Sequence, residues 1–136
     1  MGNSPKQEDY VFYKGEKFQI EFFFTETGEM PAKAYFDASE RHVQVKLLAL
    51  VKRIAEAGRL FDESKFRSVD KKEKIYEFKP HAERFFNFFY EGHKIIITNA
   101  YRKKGQKVDP RELARAINLK RNYEMRVKEG AYYETN

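Results

Sequence analysis

Two strand-like runs joined by a two-residue turn constrain this chain more than any other feature. Residues 84–90 read RFFNFFY, Glu91-Gly92 follows, and residues 93–101 read HKIIITNAY. Aromatic and β-branched side chains suit a pleated surface, and a short glycine-containing turn between two such runs marks a β-hairpin. Ile95, Ile96 and Ile97 are apolar on both sides of the strand, so this strand belongs in the middle of a sheet. A third run, IYEFK at 75–79, ends at Pro80 and precedes the hairpin. The fold must therefore be built around a meander of three strands.

The preceding segments supply partners for that meander. Residues 10–24 alternate and then turn solidly aromatic, with a break at 14–17, which reads as a hairpin or two short strands. Residues 25–29 (TETGE) read as a turn. Residues 31–57 read as helix. Pro31 suits a first helical position, and Phe36, Val43, Leu47, Leu50, Val51, Ile54 and Ala57 recur at helical spacing. Gly58 is a helix stop, and a break is expected near 37–40, splitting the segment into two helices. Residues 60–74 show no clean period and read as a basic connecting loop. After a basic loop at 102–107, Asp109 and Pro110 open a last helix as its cap and first residue.

The expectation is one domain over 1–136, with a flexible start at 1–9, a folded part at 10–128 and a tail at 129–136. The class is α+β: an antiparallel sheet packed on the N-terminal helix or helical hairpin, one face open and basic, plus a C-terminal helix.

Charge and composition narrow the function. Lys and Arg number 27 against 21 Asp and Glu. The first 68 residues hold 11 of each; the second 68 hold 16 and 10, so the whole excess lies in the second half. A one-sided basic half suits a polyanion, most commonly nucleic acid. There is no Cys, which removes disulfides, a thiolate nucleophile and thiolate metal sites. No apolar run is long enough to cross a membrane, and the polar start is unlike a secretory signal, so a cytoplasmic protein is expected. Three scattered His give no metal-ligand spacing.

Strand alternation places Tyr76 and Phe78 on one face and Glu77 and Lys79 on the other. Arg84 opens the next strand, so Glu77, Lys79 and Arg84 can gather on one face. Arg102, Lys103, Lys104 and Lys107 lie just past the third strand. Cations beside aromatics hold phosphates and stack bases. His81, in a turn between Lys79 and Arg84, is a candidate proton carrier at neutral pH.

This order resembles the RelE/ParE toxin superfamily, and most closely its HigB-like, phage-derived branch, over about residues 32–125. The segments that carry the resemblance are IYEFK at 75–79, RFFNFFY at 84–90, the Glu91-Gly92 turn, the Ile-rich strand and YRKKGQK at 101–107 before a Pro-started helix. The branch reads like LYELR, RVLYFF and HAFVKKTQKTP at these places. Lys79 and Glu77 match the Arg and Glu of the first motif and Arg84 the Arg of the second. Lys103, Lys104, Gln106 and Lys107 match the basic loop. Lys79 stands where the family has Arg, so the bidentate fork is lost there.

The resemblance implies a toxin of a type II toxin–antitoxin system: a metal-independent mRNA endoribonuclease without cofactor, acting on the ribosome to inhibit translation. It implies Lys79, Arg84, His81 and Glu77 as catalytic residues and Arg102, Lys103, Lys104 and Lys107 as phosphate-binding ones. The base is left open among His81, Glu77 and a Lys of lowered pKa. The implied partners are mRNA, a cognate antitoxin with a helix-turn-helix domain and a second copy in a homodimer, with no membrane. A non-catalytic nucleic-acid-binding or regulatory protein and a gyrase-directed toxin are the alternatives on the same fold.

Overall fold

The structure, a computed structural model, describes residues 5–59 and 62–134. Its elements run α1 (Gln7–Tyr10), β1 (Val11–Lys14), β2 (Gln19–Phe22), α2 (Pro31–Ala38), α3 (Arg41–Ala57), β3 (Phe66–Asp70), β4 (Ile75–Phe78), β5 (Glu83–Tyr90), β6 (Lys94–Arg102) and α4 (Pro110–Lys128).

The strands form one sheet in the order β1-β2-β6-β5-β4-β3. The fold is the expected α+β class, with one difference in the sheet. β2 runs parallel to β6, while every other neighbouring pair is antiparallel. The parallel pair arises because α2, α3 and the meander intervene between β2 and β6. The Ile-rich strand β6 is central, between β2 and β5.

Local chemistry sets the helix ends. α2 starts on Pro31 and stops at Ala38, and α3 restarts at Arg41, giving the expected pair of helices. Gly58 closes α3 at φ 86°, a left-handed conformation that glycine adopts without a Cβ penalty. The Asp109 carboxylate accepts a hydrogen bond from the Arg111 N–H and so caps α4. Gly15 answers a different need. A Cβ there would lie 2.6 Å from the Ala55 carbonyl oxygen, because the β1–β2 turn crosses the end of α3 at close range.

Helices cover both faces of the sheet. On the first face, Val43, Leu47, Leu50, Val51 and Ile54 of α3 and Ala32 of α2 pack with Ile20, Phe22, Phe78, Phe85, Ile95 and Ile97. On the second, Ala116 and Tyr123 of α4 pack with Ile75, Phe86, Phe88, Ile96 and Tyr101. The second face is therefore closed over its centre. Its polar remainder lies toward β3, β4 and the starts of β5 and the loop after β6.

Two segments depart from the sequence reading. The loop expected over 60–74 contains β3, which pairs with β4 in register Phe66↔Phe78 and Arg67↔Glu77. Leu60 and Phe61, the start of that loop, fall outside the described residues. The tail expected at 129–136 is folded as far as it is described, to residue 134. Tyr132 is 2% exposed and stacks on Phe24 at 4.0 Å between ring centroids. The flexible start expected at 1–9 falls partly on residues 1–4, outside the described residues; Gln7–Tyr10 form a helical turn and Tyr10 is buried.

Candidate nucleic-acid site at the sheet end

Cross-strand pairing builds the site. Arg67 of β3 sits directly opposite Glu77 of β4, and its Nε donates to Glu77 Oε2 at 2.7 Å. Glu77 is fully buried, and a buried carboxylate is costly without such a partner. Arg84 of β5 comes from the other side, its Nε 4.0 Å from the same oxygen, with 13% of its side chain exposed. Arg84 Nη1 donates to the backbone carbonyls of His81 and Glu83, each at 2.8 Å. Its Nε and the second Glu77 oxygen have no hydrogen-bond partner. The guanidinium is thus anchored at one end, with donor capacity left over.

Lys79, two residues beyond Glu77 on the same face, donates to the Glu63 carbonyl at 3.1 Å. Its pKa lies below the usual lysine value. Burial is the main cause, followed by the positive charges of Arg67 and Arg84 and, more weakly, Lys103; Glu77 opposes them. Tyr101, cross-strand from Arg84, is shifted upward by burial and then by the Glu77 charge, while its oxygen accepts from the Asp109 N–H at 3.2 Å. Arg67, Glu77, Lys79, Arg84 and Lys103 therefore form one electrostatic unit, in which the buried carboxylate pairs with the two arginines.

A cleft of about 600 Å³ adjoins this unit; Arg102, Lys104, Lys107 and Arg111 line it together with Tyr101 and the carboxylates Asp109 and Glu112. Phosphates of a strand crossing Arg84 can continue along these cations.

Two other candidates have other partners. Arg102 lines the same cleft, and its Nη1 donates to Glu83 Oε2 at 3.0 Å, beside a depression on the α2–α3 side of the sheet. The cause is a bulge in β6: Ala100 pairs with Phe85 and Ile97 with Asn87, so Thr98 and Asn99 together oppose Phe86. The extra residue turns Tyr101 to the Arg84 side and Arg102 away from it. His81, expected near Lys79 and Arg84, meets that cluster through its backbone carbonyl only. It sits at φ 60°, and its ring packs against His42 of α3 at 4.8 Å. Glu77 is enclosed by its arginines and does not reach a strand lying on the surface.

Arg67 is the cationic member that sequence reasoning missed. Its signal was the alternation Phe66, Arg67, Ser68, Val69, in which Phe66 packs on one face and Val69 on the other. Among the described residues, no group of three His, Cys, Asp or Glu side chains could hold a metal ion, and no helix is long and apolar enough to cross a membrane.

None of the curated proteins compared with the chain matches it. The family model described as phage derived protein Gp49-like (DUF891) matches residues 34–121. That span runs from α2 through the β3–β6 sheet into α4 and includes every member of the charge cluster. The chain belongs to the phage-derived Gp49-like family, which lies within the RelE/ParE-like toxin group.

Proposed function

We propose that this protein is the toxin of a type II toxin–antitoxin system, HigB-like in its branch, and that it cleaves mRNA on the translating ribosome. The observation that carries the reading is the cluster of Arg67, Lys79 and Arg84 around the buried Glu77, on the part of the sheet that α4 leaves uncovered.

The reaction is transesterification within the RNA. The ribose 2′-oxygen attacks the adjacent phosphorus, the bond to the 5′-oxygen breaks, and the products are a 2′,3′-cyclic phosphate and a free 5′-hydroxyl. Arg84 and Arg67 hold the non-bridging oxygens as negative charge grows on them. Glu77 is a positioning residue, since it orients the two guanidinium groups. Lys79 takes the 2′-hydroxyl proton in its neutral form, which its lowered pKa makes more abundant near neutral pH. Lys103, Lys104 and Lys107 hold flanking phosphates. The proposed partners are mRNA and an antitoxin with a helix-turn-helix domain, in the cytoplasm, with a homodimer as a further assembly.

Two results are expected. The cleavage rate should climb with pH and level off above the Lys79 pKa, because the amine acts when deprotonated. The Lys79→Arg variant should show a flat profile about 100-fold lower, measured as single-turnover cleavage of an end-labelled RNA. A wild-type rate that falls with rising pH would remove Lys79 as the base. RNA affinity should also weaken with salt, with a log–log slope of about −2 to −3 for three or four phosphate contacts. Fluorescence anisotropy from low to high salt reads this directly; a slope near zero would exclude phosphate-held binding.

One observation favours a second reading, RNA binding without cleavage. With Glu77 enclosed and the His81 ring turned to α3, neither is free to carry a proton, and the base must be a lysine. Tight, salt-sensitive binding with no cyclic phosphate formed would select it. Inhibition of supercoiling without RNA cleavage would select a gyrase-directed toxin instead.

A further inference from the structure

The outer face of α3 carries a surface that the nuclease reading does not use. α3 buries Val43, Leu47, Leu50, Val51, Ile54 and Ala55 against the sheet. One turn of its opposite face presents Val45, 58% exposed, and Leu48, 43% exposed, with the exposed Ala49 beside them. These are two of the four large exposed hydrophobic side chains among the described residues, the others being Phe89 and Met125 on different elements. A shallow depression of about 550 Å³ extends from Val45 and Ala49 past Arg41 to His42 and His81.

The charges that α3 itself places around this patch have one sign. From Arg41 to Ala55 the sequence contains no Asp or Glu, while Arg41, Lys46, Lys52 and Arg53 flank the apolar residues. Lys65 approaches Lys46 closely enough to lower its pKa, and Arg53 adds to the effect; Asp62 opposes it, so cations outnumber anions there. Arg41 and His42 occupy the first turn of α3, where the helix dipole disfavours positive charge. Arg41 is therefore not placed for the benefit of the helix itself.

We propose that the outer face of α3 docks an acidic amphipathic helix of a second protein, whose apolar residues meet Val45, Leu48 and Ala49 and whose carboxylates meet Arg41, Lys46, Lys52 and Arg53. An apolar stripe at positions 45, 48 and 49 with cationic borders is the complement of a helix with apolar residues at i, i+3 or i+4 and i+7 and acidic flanks. A second copy of this chain would bring the same cations to the same place and be repelled. RNA is a poorer fit, because the centre of the patch is aliphatic at Val45, Leu48 and Ala49, where bases have no ring to stack on. The face also lies across the sheet from Lys79 and Arg84. This inference gives the proposed antitoxin its docking surface, and rests on that reading for the partner's identity only.

The test titrates the ¹⁵N-labelled full chain with a synthetic peptide of about five helical turns. The peptide carries leucines on one face and glutamates on its flanks, and a scrambled peptide of equal composition is the control. The expected result is micromolar binding of the patterned peptide alone, with amide shifts centred on Arg41–Ala57 and His81. Val45→Asp with Leu48→Asp should weaken it at least about tenfold, the loss of two buried aliphatic contacts. Both side chains are exposed, so the fold should survive. Arg41→Glu with Lys52→Glu should abolish binding of the acidic peptide and confer binding of a version with lysine for glutamate. Lys79→Ala and Arg84→Ala should bind the peptide like wild type, which separates failure of this surface from failure of the nuclease reading. Equal binding of the scrambled peptide, or shifts centred on β4 and β5, would overturn the proposal. So would α3 shifts produced by a single-stranded RNA or by phosphatidylglycerol vesicles in place of the peptide.

Discussion

Replacing Arg84 with alanine is expected to lower RNA cleavage about 1,000-fold, the upper end of what one preorganised donor contributes to a developing oxyanion. The side chain is held by the carbonyls of His81 and Glu83 and by the Glu77 charge, so it loses little freedom when a phosphate arrives. The fold should persist. Glu77 keeps its 2.7 Å bond to Arg67, so its carboxylate is not left without a partner. Arg84→Lys should recover only part of the loss, because an ammonium restores charge but not the planar fork. The check is single-turnover cleavage beside urea denaturation. An alanine variant that cleaves at the wild-type rate would remove Arg84 from the phosphate site. One that fails to fold would assign it a structural role.

The second large effect concerns stability. Tyr132→Ala is expected to cost about 3–5 kcal/mol, the usual range for truncating a buried aromatic. Its ring stacks on Phe24, meets Tyr123 edge-on at 4.6 Å and lies 4.6 Å from the Arg126 guanidinium. Its hydroxyl oxygen accepts from the Phe24 N–H at 3.0 Å. Since domains of this size are stable by about 5–15 kcal/mol, the variant should be marginal at 37 °C. Tyr132→Phe keeps the ring and should cost only about 1 kcal/mol, one hydrogen bond. Urea midpoints of the two variants separate these contributions. Equal, small losses would mean that the segment after α4 does not belong to the core.

What the sequence made legible was what local chemistry decides. Pro31, Gly58, Asp109 and Pro110 act within one turn of the chain, and each marks the helix boundary it was read to mark. Strand alternation was enough to put Glu77, Lys79 and Arg84 on one face. The misses share a different cause, since each depends on a distant partner or on one residue of register. β3 has a diluted pattern and acquires its structure by pairing with β4. Tyr132 and Tyr133 look like a polar tail until Phe24 and the buried Glu21, more than 100 positions earlier, receive them. Arg102 lines the cleft with Lys104 and Lys107, with which it was grouped, but the bulge at Thr98 and Asn99 also pairs it with Glu83, which the sequence did not show. His81 was read by its neighbours in sequence, whereas its left-handed backbone points the ring to α3. Arg67 was lost together with β3.

The most direct test of the central claim is primer extension on a defined mRNA in a reconstituted translation system, with and without ribosomes, for wild type, Lys79→Ala and Arg84→Ala. The account predicts discrete new 5′ ends that require ribosomes, carry a 5′-hydroxyl and vanish in both variants. Full-length mRNA at saturating wild-type protein, or ends that persist in both variants, would contradict it.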